Sequence, residues 1–383
     1  MTTPAERRRP SLGLLRNLTD AHVLDQLLEA GALTRADIAA RTGISKPTIS
    51  EAVRRLGESG VITEVGEADG RGRRGPAGTL YRLADGVGVA FVQYAGPEGV
   101  RTELLDLRGT VLAARDHPVP SPTTADRLGP VLVSEADAVL TGAPGPVLAA
   151  TVSVANPVDR RTGRLVRLPD SPFLLDELVP AELLDDRLGV PVQVDNDVNW
   201  AALAEHRAGA ATDLEDVVYC FLGPGLGLGL VLGGGLVRGH RGLAGELAYV
   251  ITTGPDGRGR RLLESLGDHG LLREGSWAID VEAMAALLGR RDAAADRVLA
   301  AVAGAIATIA ALVDPEAVVI ADHWSADADL ADRLAGPVAA AAPVPVALRA
   351  AMITEHAPLV GARTEALAAA HRRLTARPAA ASG

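Results

Sequence analysis

Cysteine is almost absent from this 383-residue sequence, in which Cys220 is the only one. A single cysteine cannot form an intrachain disulfide, so the sequence favours a reducing compartment. Aromatic residues are also scarce, at 3%, although 48% of the residues are hydrophobic. The cores are therefore expected to be built from alanine, valine and leucine, in a chain long enough for two or three domains.

The sequence also lacks a hydrophobic run that is typical of a membrane span. Residues 1–12 are polar and arginine-rich, so no secretory signal is predicted. The charge-free run 217–237 contains a proline and many glycines, which indicate strands and turns. The alanine-rich run 298–313 is too short to cross a bilayer and is predicted to be a buried helix. A cytoplasmic protein without membrane association is expected.

Positive charge is in the minority and is unevenly distributed. The whole chain has 38 Lys and Arg against 48 Asp and Glu, yet residues 1–83 carry 13 basic and 10 acidic side chains. A basic head on an acidic body is the distribution expected when only the head contacts nucleic acid phosphates.

Two closely spaced helices are predicted at the start of this head. The first is expected to begin with an N-cap at Thr19–Asp20 and to end at Gly31. A capping-box pattern, formed by Thr34 and Asp37, predicts the start of the second helix, and Gly43 is expected to terminate it.

A third helix follows at once, with Ser45 as its N-cap and Pro47 in its first turn. Short helices joined by a glycine-containing turn are typical of a helix-turn-helix, whose second helix presents its N-terminal residues to the major groove. Lys46, the only lysine in the chain, lies at that end. The candidate DNA-binding residues of this helix are Ser45, Lys46, Thr48, Ser50 and Arg54.

Two alternating segments after the third helix predict a β-hairpin wing. The strands are expected at 61–65 and 79–83, and the loop between them is rich in glycine and arginine. Arginines at such a tip favour the narrow minor groove. The wing adds three candidate DNA-binding residues, Arg71, Arg73 and Arg74, and a winged helix-turn-helix domain is predicted over residues 1–85.

Beyond residue 85 the pattern changes to hairpins and alternating strands and helices. The glycine-rich segment 222–229 with 244–246, the stretch 191–197 and the run 314–320 resemble motifs of the ROK family (repressors, open reading frames and kinases). The head is similar to that family's repressor branch. The resemblance implies an α/β fold, a two-lobed actin-like or ribonuclease H-like ATPase domain over residues 86–383, with a ligand between the lobes and the run 314–320 as the last strand.

The resemblance also implies a sugar-binding set. In the kinases of the family, an Asn-Asp pair, two glutamates and a histidine hold sugar hydroxyls, and the Asp is also the catalytic base. The corresponding candidate effector-binding residues here are Asn196, Asp197, Glu246, Tyr249 and Glu264, with a tyrosine in place of the histidine. The alternative is that Asp197 and Glu246 only cap helices or pair with Arg238 or Arg241.

The family's phosphate-binding positions are altered. Tyr94 replaces the Asp expected to organise Mg²⁺, Glu98 replaces a Thr, Pro224 interrupts the second phosphate loop, and Ala321–Asp322 replaces Gly-Gly near adenosine. A carboxylate facing a triphosphate is repulsive, and proline offers no N–H donor. The sequence therefore predicts neither kinase activity nor a nucleotide cofactor, and no catalytic residue is assigned.

A metal site is not predicted. The family's structural zinc site uses one His and three Cys, whereas this chain has Tyr249 at the His position and no cysteine in the loop 254–261. Packing around Leu262 and Leu263 is expected to hold this loop instead.

These observations predict a DNA-binding transcriptional regulator of the repressor type, controlled by a sugar-like small molecule. Its partners are expected to be palindromic operator DNA and further copies of itself, as a homodimer or homotetramer. Two alternatives remain: a regulator on the same fold whose effector is another metabolite or a protein, and a sugar kinase with a fused DNA-binding head.

Overall fold

The computed structural model describes residues 12–67, 78–171, 173–325, 327 and 329–376. The head is a three-helix unit followed by a hairpin whose second strand also pairs with a short strand after the first helix. Its elements are α1 (Leu12–Ala30), β1 (Ala32–Thr34), α2 (Arg35–Thr42), α3 (Lys46–Glu58), β2 (Ile62–Glu67) and β3 (Thr79–Leu83).

The predicted start of the first helix was wrong. Helix α1 already begins at Leu12, so Thr19 and Asp20 lie inside it rather than at its N-cap. Residues such as leucine and arginine extend a helix readily in front of a potential cap. Asp20 instead binds Arg55 of α3 at 2.6 Å, and this half-buried ion pair joins the two helices. Gly31 ends α1 with a positive φ of 85°, as predicted.

The other helix boundaries of the head follow from the predicted caps. Thr34 and Asp37 form a reciprocal capping box at the start of α2, and Gly43 ends this helix in the left-handed conformation. Ser45 accepts a hydrogen bond from the backbone of Thr48 at the start of α3. The inward face of α3 is fully apolar and consists of Ile49, Ala52, Val53 and Leu56.

The body consists of two lobes, each built on a five-stranded mixed sheet. In the first lobe the strand order is β6-β5-β4-β7-β8, with β4–β6 antiparallel and β7 and β8 parallel to β4. Its elements are β4 (Val89–Gly96), β5 (Gly99–Leu105), β6 (Val111–His117), α4 (Ala125–Leu140), β7 (Val147–Val154), α5 (Pro180–Leu188), β8 (Val192–Asn196) and α6 (Asp197–Ala208).

The second lobe repeats this order as β11-β10-β9-β14-β15 and carries an insertion after its hairpin. The run 314–320 leads into the central strand β14 and not into the last strand, because β15 follows and pairs beside it. The elements are β9 (Val217–Leu222), β10 (Leu226–Leu232), β11 (Gly235–Val237), β12 (Ile251–Thr253), β13 (Gly259–Arg261), α7 (Leu262–Asp268), α8 (Val281–Gly289), α9 (Ala293–Val313), β14 (Ala317–Asp322), α10 (Leu330–Ala341), β15 (Ala347–Ala350) and α11 (Ala357–Ala376).

The equivalent helices α6 and α11 cross between the lobes and pack on each other. Gly361 of α11 lies directly against the backbone carbonyl of Trp200 in α6, so closely that a Cβ atom would collide with it. Helix α11 also packs on the sheet of the first lobe, where Thr151 donates a hydrogen bond to the carbonyl of Ala362 at 3.0 Å. Helix α6 packs on the hairpin of the second lobe.

One apolar cluster joins the head to the body. Val23, Leu24 and Leu27 of α1 belong to the same buried cluster as Leu107 of the first lobe and Leu374 of α11. Because this packing crosses residue 85, the proposed boundary between residues 1–85 and 86–383 remains a prediction from sequence. The head is nevertheless attached through a shared core rather than through the connecting turn alone.

The alanine-rich run 298–313 lies in a helix that is longer than the run itself. Helix α9 has 21 residues, and in the part of the chain that the structure describes it is the one helix long and apolar enough to cross a membrane. Half of its most apolar window is buried, and Val298, Val302 and Ile306 belong to the core of the second lobe. Such burial is typical of a core helix, as predicted.

Candidate functional site

The N-terminal end of α3 presents polar side chains to solvent. The hydroxyls of Ser45 and Thr48 lie 2.7 Å apart at the first turn, and both residues are exposed. Lys46 is exposed and makes no ion pair within the described residues. Ser50 is half-buried on the next turn. A cation beside exposed hydroxyls at the start of a helix is the arrangement with which a recognition helix meets DNA.

Arg54, the fifth candidate on this helix, is held by two acidic neighbours. Its guanidinium lies 2.5 Å from Glu51 and 2.5 Å from Glu58, one turn away on each side. All three side chains are exposed, so the pairs are weak and can be exchanged for a phosphate. The sequence pattern gave no sign of this competition, because it concerns which rotamers the side chains adopt.

The wing is described only in its two strands. Strand β2 begins one residue later and ends two residues later than predicted, and β3 has the predicted bounds. The other three candidate DNA-binding residues, Arg71, Arg73 and Arg74, lie outside the described residues.

A cavity of about 590 Å³ lies between the lobes and brings four of the five candidate effector-binding residues together. This volume is within the usual range for a small-molecule site. Its wall includes Asn196, Asp197, Glu246 and Tyr249. Glu264, the fifth candidate, does not line it. We refer to this cavity between the lobes as the polyol cavity.

Asn196 and Asp197 are placed at the cavity by the start of α6. The Asn196 side chain caps this helix by accepting the Val198 N–H at 3.0 Å, and its amide group donates to the carbonyl of Val154 at 3.4 Å. One carboxylate oxygen of Asp197 accepts the same N–H at 2.8 Å. The helix N-terminus therefore orients both side chains, and a hydrogen bond from the Asn196 side chain also acts on the Asp197 carboxylate.

The carboxyls of Asp197 and Glu246 both have raised pKa values, and the negative charge of Asp197 contributes to the raised pKa of Glu246. Burial raises the pKa of Asp197 to about 7, against the lowering effect of its hydrogen bond from Val198. Burial, and the negative charges of Asp197 and Asp170, raise the pKa of Glu246 to about 7. Carboxyls that are partly protonated near neutral pH can both donate and accept hydrogen bonds, which is what sugar hydroxyls require.

The alternative ion pairs for these carboxyls are not formed. Arg238 binds Asp195, the residue two positions before Asp197, and that carboxylate also accepts the amide of Asn199 at 2.8 Å. Glu246 makes no ion pair within the described part of the chain. The helix-capping alternative holds in part for Asp197, which accepts the Val198 N–H at the start of α6. Glu246 precedes a short 3-10 helix but makes no side-chain cap hydrogen bond there.

Tyr249, at the position of the family's histidine, contacts Asp170 and Arg261. Its hydroxyl hydrogen-bonds to the buried carboxylate of Asp170, and the guanidinium of Arg261 lies 5.1 Å from the centre of its ring. Arg261 in turn binds Glu264 at 2.6 Å, which directs Glu264 away from the cavity. Burial and the hydrogen bond to Asp170 raise the pKa of Tyr249 above its usual value.

Asp170 lines the polyol cavity as well, and sequence reasoning missed it. It lies in a loop without a recognisable motif. The loop 273–278 was also missed, and its Trp277 is 41% exposed at the cavity wall. A nearby pairing between Leu272 and Ile279 positions this loop.

The family's zinc site does not fit this chain. Tyr249 offers a phenol in place of an imidazole, and Cys220 is buried in β9. The loop around 254–261 is instead held as the β12–β13 hairpin, in which Arg260 lies 2.9 Å from both Asp256 and Asp268. Leu262 and Leu263 are buried beneath it, as the sequence predicted, but these ion pairs were not foreseen.

The second phosphate loop of the fold has few free donors. The Gly223 N–H donates to the carbonyl of Gly225 at 3.1 Å, and Pro224 has no N–H. A phosphate at this turn would therefore find no free N–H at Gly223 or Pro224. The Trp324 indole N–H donates to the Gly223 carbonyl at 2.9 Å and holds the turn.

Of the remaining altered positions, two line the space between the lobes and one caps a turn. Tyr94 and Glu98 lie at the β4–β5 turn, between the lobes. Asp322 caps a turn after β14 by accepting the N–H groups of Trp324 and Ser325 at 2.8 and 2.9 Å. His323, the next residue, lines the space beside Tyr94 and Glu98. That Ala321–Asp322 would lie near adenosine stays a prediction.

The fold and the site define a class: a winged helix-turn-helix joined to a two-lobed actin-like domain with a sugar-sized cavity. Residues 94–259 match the profile described as the ROK family, and residues 16–63 match a winged helix-turn-helix DNA-binding profile. The chain therefore carries a ROK family domain behind an N-terminal winged helix-turn-helix, and it is homologous to the ROK transcriptional regulators.

The chain is similar both to repressors and to sugar kinases. The xylose repressor of Bacillus spizizenii is 23% identical over 60% of this chain and 59% of its own length, so the chain spans about three fifths of this relative. The glucokinase of Streptomyces coelicolor is 30% identical over 42% of this chain and 49% of its own. A crystal structure described as a ROK family transcriptional regulator, homologous to the E. coli MLC protein, has a TM-score of 0.68 at 19% identity, covering 94% and 98% of the two chains.

Proposed function

We propose that the protein is a cytoplasmic DNA-binding transcriptional regulator of the repressor type. A sugar or sugar-like polyol in the polyol cavity is its effector, and it acts as a symmetric homo-oligomer on palindromic DNA. The repressor names of its relatives support the class. Specific recognition generally needs two half-sites, which supports the oligomer.

The observation that carries this proposal is the continuous packing from the cavity to the head. Asp197 stands at the start of α6, α6 packs on α11, and α11 shares an apolar cluster with α1. A ligand that favours one arrangement of the lobes therefore changes the position of helix α6 and of helix α11, on which the helix-turn-helix packs. A difference of about 1–3 kcal/mol between two arrangements is sufficient for such coupling.

The absence of kinase activity is part of the proposal. Tyr94 stands where a metal-organising carboxylate is required, and Pro224 and Gly223 offer no free N–H to a phosphate. Phosphoryl transfer depends on positioning and charge neutralisation, and both are weakened here. The kinases among the relatives make this the point that most needs a direct assay.

A second candidate, a regulator without a sugar effector, is favoured by one contact. The Tyr249 hydroxyl already hydrogen-bonds to Asp170, so two polar groups of the cavity satisfy each other. A sugar would have to compete with this bond or use the remaining oxygens of Asp170, Asp197 and Glu246.

For the DNA-binding face, we expect Lys46→Ala to weaken binding by about tenfold and to lower the slope of log K against log salt by about one. Arg54→Ala should have a smaller effect, because Glu51 and Glu58 compete for its guanidinium. Fluorescence anisotropy with a duplex enriched in vitro by the full-length protein measures both. The control is Arg290→Ala, an exposed arginine of the second lobe. An unchanged salt slope for Lys46→Ala would contradict the assignment.

For the polyol cavity, we expect saturable binding of at least one aldose in a panel that includes xylose and glucose, with no release of ADP from ATP. Asp197→Asn should weaken that binding by about tenfold, since a charge-assisted hydrogen bond to a hydroxyl contributes about 1.5–3 kcal/mol. Trp277 supplies the change in signal in a fluorescence titration, because it lines this cavity and is 41% exposed, whereas the buried Trp200 and Trp324 do not line it and give a constant background.

Calorimetry and a coupled ADP assay on the same preparation complete this test. Asp186→Asn, an exposed carboxylate of α5, is the control. Phosphorylated sugar would contradict the absence of kinase activity, whereas an Asp197→Asn protein with normal sugar affinity would show that the carboxylate is a remnant.

A further inference from the structure

A second cavity, of about 610 Å³, lies between the lobes on the other side of Asp197. Its distinguishing feature is a wall of rings formed by Tyr94, Tyr219, Phe221 and His323. The chain has only 3 Phe and 4 Tyr, so the cavity contains three of these seven residues. We refer to it as the aromatic cavity.

Two of these rings occupy the space over the phosphate loops. The Tyr94 ring lies against Gly96, and the Phe221 ring lies against Gly223, with the nearest ring carbons 2.5 and 2.6 Å from where a Cβ atom of the respective glycine would be. His323 packs on Phe221 with ring centres 5.0 Å apart. The two hairpins therefore present aromatic faces where the fold would otherwise admit a phosphate.

The charge of the aromatic cavity is negative. Glu98 and Glu355 line it and make no ion pair within the described residues. Asp197 adds less negative charge, because burial raises its pKa to about 7. Its one arginine, Arg101, is bound at 2.8 Å by Glu103 and at 2.8 Å by Asp116. An anionic ligand would be repelled by this wall, whereas a cation would be attracted.

One polar group in the wall lacks a partner. Tyr219 is 2% exposed, and its hydroxyl makes no hydrogen bond to any residue that the structure describes. Because Tyr219 lines the cavity, its hydroxyl is available to a ligand that accepts or donates a hydrogen bond at this point. The phenol oxygen can accept a hydrogen bond from an ammonium group.

We propose that the aromatic cavity is a second ligand site, which takes an organic cation with a flat apolar body, such as an arylalkyl amine. Aromatic faces and uncompensated carboxylates together are the recognition chemistry of such cations. The proposal does not require that a sugar binds in the polyol cavity. The two cavities are nevertheless adjacent, because Tyr94, Glu98, Asp197, Val198, Phe221 and Pro224 line both, so a cation here would also act on a wall of the polyol cavity.

The test compares amines with neutral molecules of the same shape. Calorimetry on the full-length protein uses phenethylamine against 2-phenylethanol, tryptamine against tryptophol, and ATP. We expect each amine to bind at least about fivefold more tightly than its alcohol, and ATP not to displace it. Equal affinities for amine and alcohol, no amine binding, or displacement by ATP would each overturn the proposal.

Variants locate the binding. The double variant Glu98→Gln/Glu355→Gln should weaken amine binding at least fivefold and leave alcohol binding unchanged, because only the charge is removed. Tyr219→Phe, which loses no internal hydrogen bond, should weaken amine binding and retain the fold by circular dichroism. The control is Asp186→Asn. If the double variant binds amines like the wild type, or if the control loses as much affinity, the site is elsewhere and the proposal is wrong.

Discussion

Replacing Glu103 by alanine is expected to destabilise the protein by about 1.5–3 kcal/mol, because the substitution removes a buried carboxylate and its charge-assisted hydrogen bonds to the partly exposed Arg363 and Arg101. Glu103 of β5 is completely buried and accepts two hydrogen bonds of 2.6 Å from Arg363 of α11 and one of 2.8 Å from Arg101. It is the charged contact that fixes the crossing helix to the first lobe.

The ion pair also predicts how this loss depends on pH. Burial alone would raise the pKa of Glu103, but the hydrogen bonds from Arg363 and Arg101 outweigh it and lower the pKa. A group with a lowered folded pKa stabilises the protein above its unfolded pKa and loses that contribution as the pH falls through the folded value. The difference between wild type and Glu103→Ala should therefore be complete at pH 7 and shrink in acid.

Urea unfolding followed by tryptophan fluorescence measures this difference. Asp116→Asn is the matched control, because Asp116 binds the same Arg101 but is 69% exposed in its side chain, and exposed pairs contribute about 0–1 kcal/mol. Equal losses for Glu103→Ala and Asp116→Asn would contradict a special role of the buried carboxylate. Glu103→Leu combined with Arg363→Met should recover part of the stability, since no charge is then left unpaired.

Local rules predicted the head well, because its boundaries depend on neighbours in sequence. The capping box at Thr34, the left-handed Gly43 and the cap at Ser45 are contacts over three or four residues. Thr19 misled the prediction because a good capping residue inside a helix has the same local pattern as one at its end. Only the preceding turn of helix distinguishes the two cases.

The polyol cavity was predictable in part. The resemblance identified Asn196, Asp197, Glu246 and Tyr249, and all four line the cavity. The resemblance placed Glu264 in the cavity, but Glu264 binds Arg261 instead. Arg261 belongs to the β12–β13 hairpin, which this chain forms in place of the family's zinc loop. Asp170 comes from a loop far away in sequence, and no spacing rule connects it with Tyr249.

The aromatic cavity was not predicted at all, although Tyr94, Glu98, Asp197 and Pro224 of its wall had been singled out for other reasons. Tyr94 and Pro224 were interpreted only as losses from a kinase site. That Tyr94 and Phe221 each fold over the glycine two positions later becomes visible only when the two hairpins face each other. Substitutions that remove one binding chemistry can thus create another, and the sequence pattern of the parent family describes only the first.

Gly361→Ala is expected to destabilise the protein by about 1–3 kcal/mol and to weaken the coupling between effector and DNA. Gly361 lies in the second turn of α11 without an unusual backbone angle, so its role is close approach and not conformational freedom. An added methyl group would collide with the carbonyl of Trp200, and the two crossing helices would have to separate. Alanine normally favours a helix by about 0.5–1 kcal/mol over glycine, so a loss has the opposite sign to the intrinsic preference.

Gly304→Ala is the matched control, because Gly304 lies inside α9 and its nearest neighbour, the Thr252 hydroxyl, would be at an ordinary contact distance of 3.7 Å. This variant should be as stable as the wild type or slightly more stable. Urea unfolding gives the stability, and anisotropy with the enriched duplex, with and without the effector found in the sugar panel, gives the coupling. If Gly361→Ala retains the wild-type ratio of DNA affinities while losing stability, α11 supports the fold but does not transmit the signal. Signal transmission through α6 and α11 requires that ratio to move towards one, because helices held apart cannot pass a change at Asp197 to α1.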